Sequence, residues 1–433
     1  MKKNIIFLTL LFPIIIKAQQ MITLQSAIDS ALKNNYDIQI AKNNLEIDKL
    51  NNTYGNAGGL PSVNINATNN YSFSNNYYQK FSSGSVTNSN NLNSNNLNAG
   101  INAGITLFNG FKVIATKERF SLLQKQGELE LNLNVQNTIA SIMASYFDIV
   151  RQQSYLKIIQ SLLDLSKKKL EIVDERRSVG MANDVDYMQS QIDKNTAEQN
   201  IKGQELIISQ GKENLLQLMS LKKHFPITIN DSIIIDNGLN IDSIINYLTN
   251  NPQFLSAEMQ IKINEQIIKE VAALRYPSIH FNTGYNVTNS NNSAGNTLLT
   301  QNYGPFLGFS LLIPIYNGKI YKNQHDIAKY NLSTAKLQKE SLYNSITTDA
   351  KKTFQAYSNT LQQIDSQIIN YELSEKLINL VLDRFRLNQA TIIDVKTAQE
   401  SFENSAYLLI NLEYSAKIAE IELKRLIYKL GNN

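Results

Sequence analysis

The chain has 433 residues, with 41 Lys or Arg, 37 Asp or Glu, no Cys and a formal net charge of +4. Without cysteine, the chain owes nothing to disulfide bonds. The near balance of charge gives no indication of nucleic-acid binding. The length allows a large hydrophobic core, but the patterns along the chain are not those of a globular domain.

The N-terminus has the pattern of a secretory signal peptide, which we expect to cover residues 1–18. Lys2 and Lys3 precede an apolar run over residues 5–16 that is too short to span a membrane as a helix. Ala18 is a suitable cleavage residue, although the exact cleavage site stays open. Loss of this segment removes three Lys and no acid, which leaves 38 basic and 37 acidic side chains. The sequence therefore predicts an exported chain that is nearly neutral.

An internal repeat organises the rest of the chain. Pro61 recurs as Pro277, 216 residues later, and Gly110 recurs as Gly318, 208 residues later. Shifts that persist over more than a hundred residues are hard to obtain by chance. The matched segments are 34–35 with 250–251, 60–63 with 276–279, 107–110 with 315–318, and 180–186 with 388–394.

We place the first structural repeat at residues 19–221, an equatorial linker at 222–240 and the second repeat at 241–433. Each repeat begins with a short amphipathic helix and a second helix, after which Pro61 or Pro277 blocks helix continuation. The eight-residue difference between the two shifts is expected in one loop, between the proline and the Asn-Gly pair that follows it.

After each proline the period of the apolar residues changes from 3.6 to 2, which is typical of half-buried strands. For example, Leu97, Ile101 and Ile105 share one face, while the alternate positions are Asn, Gly and Thr. The four predicted strands cover about residues 62–74, 97–108, 278–288 and 303–316.

These strands could cover a soluble core, or they could face lipid outward and water inward. Their Asn, Ser and Gly face favours the second interpretation. Residues 75–96 and 289–302 are rich in Asn and Ser, and we predict exposed loops there. Four strands cannot close a membrane barrel, whose known minimum is about eight, and open edges are not tolerated in hydrocarbon. If the strands span a membrane, the barrel must be shared between chains.

Long helices are predicted for most of the remaining residues. A helix over residues 111–178 would be roughly 100 Å long at about 1.5 Å per residue. Its apolar residues form two adjoining stripes, which suits a helix packed between neighbours on both sides in a closed ring. The predicted long helices are 111–178 and 319–387, and their returning partners are 184–221 and 391–430.

A short turn joins each long helix to its returning partner. Gly180 permits the left-handed backbone of a helix C-cap. Asn388 takes its place in the second repeat, because Asn also tolerates that conformation. Asn183 or Asp184 can cap the returning helix. The two turns are therefore expected at the tips of two helical hairpins.

This layout resembles that of the TolC-like outer-membrane efflux proteins. The resemblance covers essentially all of the chain after the signal. It rests on the duplicated order of helix, Pro-Ser, two strands, Asn-Gly and long helix, and on tip motifs at 179–186 and 384–395. It implies a fold that is mainly α with membrane β. Three chains would form a shared twelve-stranded outer-membrane β-barrel and a periplasmic α-barrel of twelve helices.

The same resemblance implies a passive exit duct for efflux or type I secretion. Such a duct works as a homotrimer in outer-membrane lipid, with a periplasmic adaptor and an inner-membrane pump of the RND or ABC type. The cargo and the particular pump stay open.

The resemblance also implies a gate at the tips. Asp394 matches a carboxylate of the channel constriction, and Asp186 and Phe385 match partners of the links that hold such channels shut. Phe385 lacks the usual tyrosine hydroxyl, so the closed state could depend on Arg384 or Arg386. The simpler alternative is that Asp394 only interacts with the dipole at the start of the returning helix.

Two further departures from the family pattern leave it undecided how the closed state is held. Ala390 stands where some members carry a linking Arg, and Thr397 replaces a second acidic position. The turn residues expected to contact the adaptor are Val179, Gly180, Met181, Ala182, Leu387, Asn388, Gln389 and Ala390.

No group of residues predicts catalysis. His224, His280 and His325 lie in different predicted elements, and we find no phosphate-binding loop and no metal-ligand spacing. We therefore expect no enzyme activity, no cofactor, no metal and no nucleic-acid partner. The alternative function is a secreted or surface coiled-coil adhesin without a lumen, with residues 75–96 as its binding head.

Overall fold

The computed structural model describes residues 20–221, 225–294 and 297–431. The predicted signal peptide and His224 lie outside these ranges. In chain order the elements are β1 (Gln20–Met21), α1 (Leu24–Asn34), α2 (Tyr36–Asn51), β2 (Ser62–Lys80), β3 (Val86–Asn109), α3 (Lys112–Ser178), α4 (Asp184–Leu218), β4 (Ile227–Thr228), α5 (Ile241–Tyr247), α6 (Pro252–Ala273), β5 (Ser278–Asn292), β6 (Leu299–Leu312), α7 (Ile320–Arg386) and α8 (Ile392–Leu426).

The chain divides into two compact units. The first combines the described parts of residues 1–42, 131–254 and 343–433, and the second combines 43–130 with 255–342. The predicted fold class, mainly helical with duplicated long hairpins and four longer strands, is confirmed. No helix in the described ranges has both the length and the hydropathy needed to cross a membrane.

The duplication is visible in individual contacts of the first unit. Asn35 donates from Nδ2 to the carbonyl of Leu218 at 3.1 Å, and Asn251 donates in the same way to Leu426 at 2.8 Å. Each Asn also accepts a hydrogen bond from a backbone amide two residues later. Both side chains are buried, so these bonds satisfy polar groups at the end of one helix and at the start of another.

The core of the first unit lies around the middle of α3, where Ile142, Tyr146 and Ile149 are almost fully buried. These positions follow the helical spacing that the sequence displays. The Tyr146 hydroxyl donates to Asp231 at 3.2 Å. Burial and the Asp231 charge raise the pKa of Tyr146, so this phenol remains a proton donor at physiological pH.

The linker before α5 is held against α8 by a buried ionic cluster. Glu420, 2% exposed, accepts from Lys417 at 3.0 Å and from Lys424 at 2.8 Å. Lys424 also pairs with Asp236 of the linker at 2.9 Å. Burial alone would lower the pKa of Lys424, but its bonds to the two carboxylates raise it. The linker is therefore tied down by charge pairs that compensate one another's desolvation.

The second unit contains a four-stranded antiparallel sheet in the order β2-β3-β5-β6. The prediction of exposed loops at 75–96 and 289–302 was wrong. β2 continues to Lys80 and β3 restarts at Val86, and β5 and β6 likewise leave only a short connection. Asn and Ser lack the apolar alternation of a half-buried strand, but their backbone groups still form the ladder.

Two details of the strands also differ from the prediction. The eight-residue difference between the repeats lies in the greater length of β2 and β3, not in a loop. β6 ends at Leu312 rather than near 316, because Pro314 has no N–H to donate to a ladder.

The register places apolar and polar residues on opposite faces of the sheet. Ile65 lies opposite Ile101, and Phe281 lies opposite Phe309 with ring centroids 5.0 Å apart. On the other face, Asn102 donates to Asn66, Ser290 to Asn96 at 2.5 Å, and Thr106 bonds His280 at 3.1 Å. Over this part of the sheet one face is mainly apolar and the other is mainly lined by uncharged polar groups, with Phe306 and Leu312 as apolar exceptions.

Candidate functional site

The two hairpin tips close with the same backbone geometry. Gly180 has φ 77° and Asn388 has φ 61°, both in the left-handed region. The amide of Met181 donates to the carbonyl of Arg176, and that of Gln389 donates to Arg384, each at 2.8 Å. Asn therefore does in the second turn what glycine does in the first.

The returning helices begin with different caps. Asn183 accepts from the amide of Asp186 at 2.7 Å, so Asn183 is the cap of α4. Thr391 caps α8 and accepts from the amide of Asp394 at 3.2 Å. In return, Asp394 Oδ2 accepts from the Thr391 amide at 2.7 Å and from its hydroxyl at 2.8 Å. The second tip therefore has a reciprocal capping box, with the helix dipole adding to it.

The capping box explains the charge state of Asp394. Hydrogen bonds from the Thr391 backbone and side chain hold the pKa of this carboxyl below its usual range, with a smaller contribution from the Arg384 charge. Both bonds are accepted by Oδ2, so neither of them occupies the other carboxylate oxygen. Asp394 can therefore take part in the capping box and still present a charged oxygen at a constriction.

An arginine that the sequence did not single out joins the two hairpins. Arg176 of α3 lies over the ring of Phe385 of α7, 4.4 Å from the centroid, and its Nη2 donates to the Phe385 carbonyl. Phe385 is 3% exposed and belongs to a core formed by α3, α7 and α8. Phe385 thus takes part in a link without a hydroxyl, through its ring and its backbone.

Arg384 and Arg386 do not form that link. Both are exposed, and neither side chain has a hydrogen bond or ion pair within the described ranges. Arg177 instead pairs with Asp184 at 2.7 Å and lies 4.4 Å from the ring centroid of Tyr187. The first tip is therefore braced by an ion pair between its two helices.

A buried lysine lies further along the hairpins. Lys169 of α3 is fully buried and pairs with Asp193 of α4. Its Nζ also approaches Oε1 of Gln399 on α8 at 3.5 Å. One ammonium group thus connects three helices. The sequence showed only a lysine within a run of three, which is the ordinary pattern of a solvated helix face.

The turns themselves present apolar side chains to solvent. Val179, Met181 and Leu387 are 67%, 75% and 68% exposed, respectively. Exposed large apolar side chains clustered at a protrusion are typical of a protein-contact surface. Within the described ranges there is no group of three or more His, Asp or Glu residues that could hold a metal ion.

Paired long hairpins with a sheet that is apolar on one face define a class of outer-membrane channel proteins. The sequence profile of the outer membrane efflux protein family matches residues 27–220 and 244–427, one match for each repeat. The chain belongs to this family. It is accordingly an efflux channel protein of the outer membrane, and this assignment does not support the coiled-coil adhesin alternative.

Comparison with individual proteins agrees with the family. The chain is 20% identical to outer membrane protein TolC of Escherichia coli K12 over 390 residues, covering 84% of this chain and 74% of TolC. Its fold is similar to that of VceC from Vibrio cholerae, with a TM-score of 0.74 and 16% sequence identity. That match covers 95% of this chain and 97% of VceC. The fold is also similar to that of the CmeC channel of Campylobacter jejuni, with a TM-score of 0.74 and 16% sequence identity. That match covers 94% of this chain and 85% of CmeC.

Proposed function

We propose that the chain is the exit duct of a tripartite efflux or type I secretion system. In this proposal three copies assemble around one axis, and their sheets close a twelve-stranded barrel in the outer membrane. The long helices of the three copies form a periplasmic tunnel. A periplasmic adaptor contacts the exposed turns, and an inner-membrane pump of the RND or ABC type supplies the substrate.

The observation that carries the proposal is the incompleteness of the sheet. In the part of the chain that the structure describes, β2 and β6 each have a partner on one side only. Their free edges expose backbone N–H and C=O groups, which hydrocarbon does not tolerate. Antiparallel strands of identical neighbours would satisfy both edges and complete a closed barrel.

The tips supply the gate in this proposal. The bond from Arg176 to Phe385 keeps the two hairpins of one chain together and so favours the closed entrance. Three Asp394 carboxylates, one from each chain, would lie close to the axis and attract cations. Asp186 lies in the first turn of α4 beside its cap, where a charge would add to the same field. The duct performs no bond-making step, so its selectivity comes from size and charge.

Planar-bilayer recording tests this function. We expect purified protein to form pores of small, cation-preferring conductance, and outer-membrane fractions to contain an oligomer that dissociates on heating. Absence of any conductance from protein that is folded and oligomeric would contradict the proposal.

A further inference from the structure

A cleft of about 380 Å³ lies in the second unit where the sheet meets the helices. It is lined by the start of α3 and the end of α6. Phe111, Ile114 and Tyr276 provide an apolar wall, and all three side chains are more than half exposed. Lys269 and Glu118 lie at the polar part of the same cleft.

The backbone brings the two helices together at this cleft. Gly110 has φ 68°, and a Cβ at this position would lie 2.6 Å from the Ala273 carbonyl oxygen and 2.7 Å from Tyr276 Cβ. Only glycine permits so close an approach with that backbone. The first turn of α3 therefore rests directly on the last turn of α6.

The cleft opens on the apolar side of the sheet. The register shifts between Thr106 and Phe108, so that Phe108 lies opposite Ile279 and shares its face. Without this bulge Phe108 would point to the polar side. The ring of Phe111 packs edge-to-face on that of Phe108 at 5.3 Å. The apolar wall of the cleft is thus continuous with the face of the sheet that contacts lipid.

Association of identical copies leaves the cleft uncovered. α3 follows β3 and α6 precedes β5, and these are the two central strands of the sheet. Neighbouring copies would pair with the edge strands β2 and β6 instead. This step rests on the proposed trimeric duct.

We infer that the cleft binds one phospholipid with a zwitterionic, amine-bearing headgroup, of the phosphatidylethanolamine type. One acyl chain packs against Phe111, Ile114 and Tyr276, while Lys269 binds the phosphate and Glu118 the ammonium group. Within the described ranges neither Lys269 nor Glu118 has an ion pair. One cation and one carboxylate beside an apolar wall complement such a lipid better than they complement an anionic one.

The second repeat provides a natural control. The residues equivalent to Phe111 and Ile114 are Lys319 and Lys322, and the residue equivalent to Lys269 is Thr53. The duplication has therefore kept the Asn-Gly turn but not the apolar wall. Lys319 has φ 67° against 66° for Phe111, so lysine is compatible with the backbone at this position.

Native mass spectrometry of the full-length protein in mild detergent tests the inference. Delipidated protein is titrated with phosphatidylethanolamine and, separately, with phosphatidylglycerol. We expect one phosphatidylethanolamine per chain, bound about tenfold more tightly than phosphatidylglycerol. The Phe111→Lys/Ile114→Lys variant should lose this binding. Lys269→Thr should weaken the binding of both lipids, because both carry the phosphate, and Glu118→Gln should lose the preference between them, because only one carries the ammonium group. Lys112→Thr, an exposed change outside the cleft, should behave like the unaltered protein.

Equal binding of the two lipids to the unaltered protein would overturn the inference, and so would full retention of lipid by both the double variant and Lys269→Thr. Should the double variant fail to fold, Lys269→Thr and Glu118→Gln decide the outcome. The same spectra report the number of chains, so a failure of the trimer is distinguishable from a failure of the lipid site, which is counted per chain.

Discussion

The two hairpin tips share a backbone but differ in the side chains that stabilise them. The first has an ion pair between Arg177 and Asp184 at 2.7 Å, and the second has a capping box between Thr391 and Asp394. Both turns contain one left-handed residue and the same closing hydrogen bond. Duplication has thus preserved the geometry of the turn, while its electrostatics have diverged.

The divergence separates two tasks. Toward the tips, the first hairpin supplies two cations that reach the helices of the second, Lys169 and Arg176. The second supplies the buried ring of Phe385 and the exposed carboxylate of Asp394. We therefore expect substitutions in the first hairpin to act on its attachment to the second, and Asp394 substitutions to act on ion passage.

The largest effect is expected at Lys169. Lys169→Met leaves the Asp193 carboxylate without its buried partner, which should cost about 3 kcal/mol of local stability. Hydrogen exchange monitored by mass spectrometry should show faster exchange in α3 and α4 around this pair. The Lys169→Met/Asp193→Asn double variant should recover part of the loss. Exchange as slow as in the unaltered protein would show that the pair contributes little.

The link between the hairpins comes next. Arg176→Met removes a cation–π contact and a charged hydrogen bond, together worth roughly 2 kcal/mol. Because the link favours the closed entrance, pore conductance without partners should increase. Lys168→Met removes an exposed cation of the same helix that makes no such link, and it should leave conductance unchanged. Equal conductance for the two variants would remove Arg176 from the gate.

The turns allow a matched test of backbone strain. Gly180→Ala should destabilise the first tip by about 1–2 kcal/mol, because a Cβ is disfavoured in the left-handed region. No heavy atom lies within 4 Å of the position where that Cβ would be placed, so the cost is conformational rather than steric. Asn388→Gly should change the second tip by only a few tenths of a kcal/mol. Local hydrogen exchange at the two turns measures both, and equal effects would contradict the comparison.

The smallest effect on stability, but a distinct functional one, is expected at Asp394. Asp394→Asn should weaken the cation preference in bilayer reversal-potential measurements. Asp184→Asn, in the first tip, serves as the matched control and should change it less. An unaltered cation preference would show that Asp394 serves only as the partner of Thr391 in the capping box.

The lowered pKa gives this prediction a pH dependence. A carboxyl whose pKa is depressed in the folded state contributes its stabilisation above the ordinary Asp pKa of about 3.9 and loses it as pH falls through the lower folded value. The α8 cap should therefore persist to pH values at which an ordinary Asp begins to take up protons. Its loss between pH 6 and pH 5, followed by hydrogen exchange at the start of α8, would show that the neighbouring carboxylates of the trimer raise this pKa instead.

Local signals in the sequence predicted the helices, the turns and the existence of the strands. Helical periodicity, Pro61 and Pro277, and the left-handed positions at Gly180 and Asn388 all depend on near neighbours in the chain. The link from Arg176 to Phe385 spans 209 residues, and no local pattern reports such a contact.

The strand ends were mispredicted for a related reason. Apolar alternation reports a face that is buried, and it stops where the strands become polar on both faces. Backbone pairing does not need it and continues from Asn76 opposite Asn90 to Lys80 opposite Val86. The bulge before Phe108 was also missed, because a single extra residue leaves little trace in an apolar segment such as Leu107-Phe108.

The proposed duct depends most on three sheets closing one barrel. Native mass spectrometry of the protein extracted from outer membranes measures the number of chains directly. We predict an assembly three times the mass of one mature chain, which needs detergent to stay in solution. A monomer that stays folded and soluble without detergent would contradict the account.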